Sequence, residues 1–271
     1  MEKDQNVRLL LEYDGSCFGG WQRVRNGKKP SIQGTLEQVL EQELGKSGIR
    51  VIGSGRTDAG VHALGQVANV HLPYSVWCKK TPGEWRNYWN GCLPEGLRIR
   101  LVEEADRAFH SRYDAVRKTY CYVFDVREVP SVFAGRYAYW IGNREFAGAK
   151  IPGMREWDRE AVQQASVRLT GEHDFSAFSS RMEPGRKTVR TITRIEWKSW
   201  KQGGGEFLIF EVEGNGFLYH MVRILAGTLY EIGVRDRKPE CILEAFHSGR
   251  RQDAGVTLPG YGLFLKEVGY Y

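Results

Sequence analysis

Long hydrophobic runs are absent from this chain of 271 residues. No stretch of 18 or more consecutive apolar residues occurs, whereas a transmembrane helix needs about 20 of them. The opening segment, MEKDQNVRLLLEYDG, also lacks the apolar core of a secretory signal peptide. The sequence therefore predicts neither a membrane span nor export.

Cysteine is scarce, and its few residues are not arranged in pairs. The five cysteines are Cys17, Cys78, Cys92, Cys121 and Cys241. Their odd number and the lack of any C-x-x-C pair argue against a disulfide framework and against a structural zinc site. We therefore expect reduced thiols in a cytoplasmic protein.

Several motifs that carry chemistry are missing as well. No glycine-rich stretch matches a P-loop or a dinucleotide-binding fingerprint, and no serine or cysteine nucleophile motif is present. The three glycines at positions 203–205 predict a hairpin turn instead. The sequence thus gives no sign of a cofactor.

Positive charge is in modest excess, with a formal net charge of +6. Two clusters concentrate it, and only Glu183 opposes the second. They consist of Arg23, Arg25, Lys28 and Lys29 in WQRVRNGKKP, and of Arg181, Arg186, Lys187, Arg190 and Arg194 in RMEPGRKTVRTITR. Such basic loops suit a phosphate backbone, although a solvated surface explains either cluster equally well.

Strand-like and helix-like patterns of apolar residues alternate along the whole chain. They predict strands at 7–13, 66–72, 118–126, 192–200 and 206–214, and helices at 35–44, 158–170, 217–233 and 240–247. The first helix carries a candidate capping box, Thr35 with Gln38, and Gly45 is expected to end it. This mixture predicts an α+β fold with antiparallel or mixed sheets. We expect two halves, 1–110 and 111–271, with the boundary between about residues 110 and 155.

One carboxylate stands in a glycine-framed loop, in the stretch GSGRTDAGVHALGQVANV. Asp58 follows Arg56 and lies between the glycines at positions 55 and 60. Aspartate often stabilises a turn by binding its own backbone, and this window alone favours that structural interpretation. A catalytic interpretation is supported by Arg56, because a neighbouring cation keeps an acid ionised, as a nucleophile or a base requires.

A metal site is a third interpretation of the same loop. Asp58 and His62 are four residues apart but flank Gly60, so they need not share one face as they would on a helix. More distant partners can be imagined in His71, His110, His173 and Asp174. Because no further cluster has ligand spacing, the sequence favours a site without metal.

Two further residues are candidates for function. Arg223 interrupts the apolar helix FLYHMVRILAGTLYEIG, where it needs an acid or a phosphate unless its side chain reaches solvent at the helix edge. Tyr120 shares a strand face with Tyr122 and Phe124, which suits a core residue or one that stacks on a base. Two classes remain open: a metal-free enzyme acting on RNA, and an RNA- or protein-binding module with a structural aspartate.

At GRTDAGVHA the sequence closely resembles the TruA family of tRNA pseudouridine synthases. Further family motifs follow in order and cover nearly the whole chain: YDGSCFGGWQ, SIQGTLEQVLEQEL, LPEGLRIR, FHSRYDAVRKTYCY, GEHDFSAFSS, NGFLYHMVRILAGTLYEIG and RQDAGVTLPGYGLFLKEVGY. The resemblance implies the pseudouridine synthase fold, in which two related α+β halves with mostly antiparallel sheets surround a central catalytic cleft.

The resemblance also implies an activity and the residues that perform it. The reaction would be isomerisation of uridine to pseudouridine at nucleotides 38 to 40 in the anticodon stem-loop of tRNA. A homodimer would bind the tRNA, and no metal or organic cofactor would take part. Asp58 would be the catalytic aspartate, paired with Arg223. Arg56 would help to hold the flipped base, and Tyr120 would stack on it.

Overall fold

A computed structural model describes most of the chain. The described residues are 4–22, 29–45, 47–142, 145–146, 149–150, 156–181, 185, 187–202 and 205–271. Several residues discussed above lie outside these ranges: Gly203, Gly204, Arg23, Arg25, Lys28, Glu183 and Arg186. Within the described ranges, no helix is both long enough and apolar enough to cross a membrane.

Helices and strands are interspersed along the described chain. The α-helices are α1 (Ile32–Leu44), α2 (Tyr74–Trp77), α3 (Pro82–Cys92), α4 (Arg159–Leu169), α5 (Met221–Gly233) and α6 (Cys241–Ser248). The strands are β1 (Asp4–Tyr13), β2 (Ile52–Gly53), β3 (His62–Pro73), β4 (Leu97–Ala105), β5 (Arg117–Asp125), β6 (Tyr139–Trp140), β7 (Glu145–Phe146), β8 (Ala149–Lys150), β9 (Gly171–Asp174), β10 (Val189–Gln202), β11 (Gly205–Gly214) and β12 (Leu263–Gly269).

The chain divides into two compact units. The first unit comprises Met1–Val116 and Phe264–Tyr271, and the second comprises Arg117–Leu263. The end of the chain therefore returns to the first unit. Each unit combines helices with mostly antiparallel strands, so the predicted α+β class is confirmed.

The sheet of the first unit is built around β1 and β3. Strand β1 pairs antiparallel with both β3 and β4, while β12 adds to β3 in parallel register. The buried residues of β1 alternate as the sequence predicts: Val7, Leu9, Leu11 and Tyr13. Strand β3 is buried on both faces over most of its length, and it forms the base from which the aspartate loop projects.

Helix α1 begins earlier than predicted. Its first residue is Ile32, and the hydroxyl of Ser31 accepts the N–H of Gly34. The predicted capping box of Thr35 and Gln38 is therefore wrong, because Thr35 already lies inside the helix. Gly45 ends the helix as predicted, with a φ of 59° in the left-handed region that glycine tolerates.

The second unit is built on an antiparallel sheet. Strand β11 lies between β5 and β10, and β10 also pairs with β9. The predicted face of β5 is confirmed, because Tyr120, Tyr122 and Phe124 are all buried. Leu208 and Phe210 continue this buried layer on β11.

Helix α5 begins at Met221 and not at Phe217. The backbone of His220 has a φ of 61°, a left-handed conformation that interrupts a right-handed helix. The predicted helical placement of residues 217–220 is therefore wrong, and Leu218 is buried ahead of the helix. From Met221 to Tyr230, every residue is buried except Arg223, which is half-buried.

The corrected cap of α1 predicts the outcome of two substitutions. Ser31→Ala removes the side chain that accepts a helical N–H, and should lower the free energy of unfolding by about 1 kcal/mol. Thr35→Ala is the control and should change it by about 0.5 kcal/mol or less. Urea unfolding measures both. A larger loss for Thr35→Ala than for Ser31→Ala would contradict the cap described here.

Candidate active site

The aspartate loop connects two paired strands of the first unit. Strand β2 pairs with β3 through Gly53 and Ala68, and the chain returns into β3 after the loop. The N–H of Val61 donates to the carbonyl of Asp58 at 3.1 Å, which closes a turn. Gly60 has a φ of 79° in this turn, a left-handed conformation that suits glycine.

Side chains in the loop alternate between the interior and the surface. Arg56 is exposed, Thr57 is only 6 % exposed, and Asp58 is half-buried. Thr57 is thus buried beneath the loop, while the cation of Arg56 and the carboxylate of Asp58 keep contact with solvent. Because the Asp58 carboxylate is only half-buried, a substrate can reach it, while the buried Thr57 holds the neighbouring backbone in place.

A buried hydrogen-bond network supports the loop from below. The hydroxyls of Tyr13 and Thr57 lie 2.8 Å apart. The Gln66 amide donates to the carbonyl of Gly55 at 2.9 Å and to the Tyr13 hydroxyl at 3.4 Å, and it accepts from Ser54 at 2.6 Å. Burial raises the pKa of Tyr13 far above its ordinary value, so its hydroxyl stays protonated.

A second backbone segment packs against the loop. The N–H of Trp21 donates to the carbonyl of Thr57 at 3.0 Å. The Trp21 ring lies so close to Gly53 that a Cβ atom there would be 2.3 Å from it. A Cβ at Gly20 would lie 2.9 Å from the carbonyl of Thr57. These approaches require glycine at positions 20 and 53 and leave the loop little freedom.

His62 anchors the point where the loop enters β3. Its ring is buried and stacks on Phe264, with the ring centroids 4.7 Å apart. Its Nδ1 atom lies 3.1 Å from the N–H nitrogen of Gly15 and 3.1 Å from a carboxylate oxygen of Asp14. In the described part of the chain, no group of three or more His, Cys, Asp or Glu side chains could hold a metal ion.

Tyr120 and Arg223, the other two candidates, belong to the second unit. Tyr120 is 8 % exposed, and its ring meets that of Phe217 edge-on at 5.2 Å. The Nε atom of Arg223 donates to the carbonyl of Leu258 at 2.6 Å, which fixes one edge of the guanidinium. The structure therefore places Arg56 and Asp58 on one loop of the first unit, and Tyr120 and Arg223 on the core elements of the second.

The basic clusters are less uniform than their sequences indicate. Arg194 lies 2.7 Å from a carboxylate oxygen of Glu196 and 3.6 Å from one of Glu213. These glutamates raise the pKa of Arg194 and offset its charge, so Glu183 is not the only acid that opposes this cluster. Lys29 donates to the backbone carbonyl of Ser16 at 2.6 Å.

Sequence analysis misses the network beneath the loop. Gln66 is completely buried, yet in sequence it is one polar residue in a strand whose neighbours are mostly apolar. Alternation identifies a face only where the other face meets solvent, and β3 is covered on both. A buried glutamine needs several partners, and this requirement is the only signal that points to the network.

The network predicts a stability cost for removal of its central side chain. Gln66→Leu removes the hydrogen bonds of this side chain with Ser54, Gly55 and Tyr13, and should lower the free energy of unfolding by about 2–3 kcal/mol. Gln38→Leu, on the exposed side of α1, makes the same chemical change and should cost about 0.5 kcal/mol or less. Equal losses in a denaturant titration would show that the Gln66 bonds do not stabilise the loop.

Comparison with known proteins identifies the family. A family described as tRNA pseudouridine synthase matches residues 10–114 and 165–271. The chain is similar to tRNA pseudouridine synthase A 2 of Clostridium tetani, with 39 % identity over 267 residues, covering 98 % of this chain and 99 % of that protein. It is also similar to tRNA pseudouridine synthase A of Bacillus subtilis, with 36 % identity over 265 residues, covering 97 % and 98 %. The chain therefore belongs to the tRNA pseudouridine synthase family.

Proposed function

We propose that this protein converts uridine to pseudouridine at nucleotides 38 to 40 in the anticodon stem-loop of tRNA, in the cytoplasm and with Asp58 as the catalytic aspartate. Membership of the family supports the reaction, as does similarity over nearly the full length of relatives named tRNA pseudouridine synthase A. The observation that carries the role of Asp58 is its half-buried carboxylate at a turn whose backbone is held from below.

The chemistry of the reaction suits a single carboxylate. The bond between C1′ of the ribose and N1 of the uracil breaks, the uracil turns, and C5 bonds to C1′. A proton leaves C5 and another is taken up at N1, so the composition of the nucleotide is unchanged. The reaction needs no oxidant or reductant. An ionised Asp58 can attack C1′, attack C6, or remove the proton from C2′, and all three routes use the same carboxylate.

Access to the uridine requires that it leave the base stack, at a cost of a few kcal/mol. Arg56 is exposed two residues before Asp58, so its side chain can enter the space that the flipped base vacates. Tyr120 would stack on the uracil, and Phe217 fixes the orientation of its ring. Arg223 would be the second catalytic residue, as the family resemblance implies.

Binding of tRNA would depend mainly on contacts with phosphates, which supply affinity without reading sequence. Among the described residues, Arg181, Lys187 and Arg190 remain candidates for these contacts in the second basic cluster. Arg194 contributes less, because two glutamates offset its charge. Recognition by shape is compatible with action at neighbouring nucleotides of one stem-loop.

We also propose that the protein is a homodimer, as its family resemblance implies. Three apolar side chains in the second unit support this assembly: Val129, Val132 and Phe133 are 74 %, 84 % and 85 % exposed. Apolar side chains exposed this far and this close together suit contact with another surface. A second copy of the chain is the occupant that we propose, because a two-fold interface needs only one self-complementary patch.

The role of Asp58 predicts a separation of catalysis from binding. Asp58→Asn should abolish formation of pseudouridine, because the amide can neither attack carbon nor accept the proton. It should leave the affinity for tRNA within about tenfold, since phosphate contacts dominate affinity. Turnover is measured by base-specific chemical detection of pseudouridine in the presence of EDTA, and binding by filter retention.

The control for this test is Asp14→Asn, a change to a carboxylate that is not part of the proposed chemistry. It should keep turnover within about tenfold, because the Asp14 carboxylate accepts the N–H of Ser16 and lies 3.1 Å from His62, whose role is to anchor the strand. Turnover by pure Asp58→Asn protein would contradict the catalytic role. Loss of activity in EDTA that zinc restores would support a metal site instead.

The dimer proposal predicts different outcomes for one substitution at two exposed valines. Val132→Glu should shift the protein to a monomer, because a buried carboxylate at an interface is costly. Val167→Glu, on the 64 % exposed Val167 of α4, is the matched control and should leave the mass unchanged. Light scattering measures both. A wild-type protein that is monomeric at micromolar concentration would contradict the proposal.

A further inference from the structure

Two consecutive backbone carbonyls in the second unit each bind a side chain from a different element. The carbonyl of Leu258 accepts from Nε of Arg223 on α5 at 2.6 Å. The carbonyl of Pro259 accepts from the hydroxyl of Tyr122 on β5 at 2.9 Å. Because the two carbonyls are neighbours on one chain segment, a constraint on the second also constrains the first.

The position of Tyr122 is itself tightly determined. Its side chain is completely buried, and its ring lies against Gly262, where a Cβ atom would be 2.7 Å from the carbon that bears the hydroxyl. Burial raises the pKa of Tyr122 well above its ordinary value, and the positive charge of Arg223 offsets only part of this effect. Tyr122 therefore remains protonated and able to donate at neutral pH.

The segment that carries the two carbonyls lies directly on α5. The N–H of Gly255 donates to the Thr228 hydroxyl at 2.9 Å. Val256 approaches Gly227 so closely that a Cβ atom there would overlap its carbonyl oxygen. The N–H of Leu258 also donates to the carbonyl of Arg223 at 3.3 Å. Arg223 is thus bound to Leu258 through its backbone and through its side chain.

Rigid geometry links the two side chains. The peptide group between Leu258 and Pro259 is planar, and the proline ring fixes the next dihedral angle, here a φ of −58°. The guanidinium is planar too, so the bond at Nε sets the plane in which its two terminal nitrogens lie. A shift of the Leu258 carbonyl would therefore tilt the face that Arg223 presents.

We propose that Tyr122 is a positioning residue for Arg223, which it orients through the neighbouring carbonyls of Pro259 and Leu258. This inference rests on the proposed function, in which Arg223 takes part in catalysis. Catalysis depends steeply on such placement, because a displacement of about 1 Å costs up to 10²-fold in rate. Tyr122 itself need not contact the substrate, which separates its role from that of Tyr120.

The first experiment compares two conservative substitutions by steady-state kinetics on a tRNA transcript. Tyr122→Phe removes only the hydroxyl, and should lower kcat roughly tenfold while KM stays within about twofold. Tyr230→Phe is the matched control, because it removes another buried hydroxyl that binds a carbonyl, that of Ile141 at 3.1 Å. It should keep kcat within about twofold. Unchanged kcat in Tyr122→Phe, or an equal loss in both variants, would overturn the proposal.

The second experiment tests whether Tyr122 acts through Arg223. Arg223→Lys keeps the charge but loses the planar guanidinium, so a bond to the Leu258 carbonyl no longer sets the plane of the other donors. In that background Tyr122→Phe should change kcat by no more than about twofold. If the fold-decrease in kcat of the double variant equals the product of the decreases in the two single variants, Tyr122 acts independently of Arg223. That result would overturn the proposal.

Two further observations keep the outcomes separate. Pro259→Ala keeps the carbonyl but gives the backbone more freedom, so it should also lower kcat. It replaces Tyr122→Phe as the test if that variant does not fold. A wild-type protein that forms no pseudouridine would refute the proposed function. An active wild-type protein with unchanged kcat in Tyr122→Phe and Pro259→Ala would refute only the positioning role.

Discussion

The hydrogen bond between the hydroxyls of Tyr13 and Thr57 is the interaction on which the candidate site depends. Thr57 is buried at this bond, whereas its neighbour Arg56 is exposed and Asp58 is half-buried. Gln66 then fixes the backbone on the other side of the loop by binding the carbonyl of Gly55. The backbone that carries the acid is thus held from beneath by buried side chains.

The second unit also holds a charged side chain, Arg223, by means of buried neighbours, but it uses different elements. Helix α5 is buried on either side of Arg223, so its backbone is held in place while the Arg223 side chain keeps partial exposure. The segment at Leu258 fixes the guanidinium at Nε, and Tyr122 fixes that segment. In both units, a charged side chain is placed by buried neutral groups. These keep their protonation state across the physiological range, because burial raises the pKa of both Tyr13 and Tyr122.

Local patterns in the sequence predict β1, β3, β5, β10 and β11 and the helices α1, α4, α5 and α6, because their apolar residues recur at strand or helix spacing. They fail where local signals compete: Thr35 has the spacing of a capping box, but Ser31 starts α1 one turn earlier. The sequence also holds an unused signal for helix α3, because Thr81 and Glu84 form a capping box around a proline in the first turn. Glycine spacing singles out the loop of Asp58, whereas the network around Gln66 depends on pairing between distant strands. Nothing in the composition of β12 indicates that it pairs with β3 in the first unit.

The most direct test of the account is release of tritium from tRNA transcripts that carry uridine labelled at C5. Formation of the bond between C5 and C1′ expels the label, so each conversion releases one tritium atom to water. We expect release from transcripts with uridine at positions 38, 39 or 40, and none when these three positions carry cytidine. Tight binding of the transcript without release at any position would contradict it, and would identify the protein as an RNA-binding module with a structural aspartate.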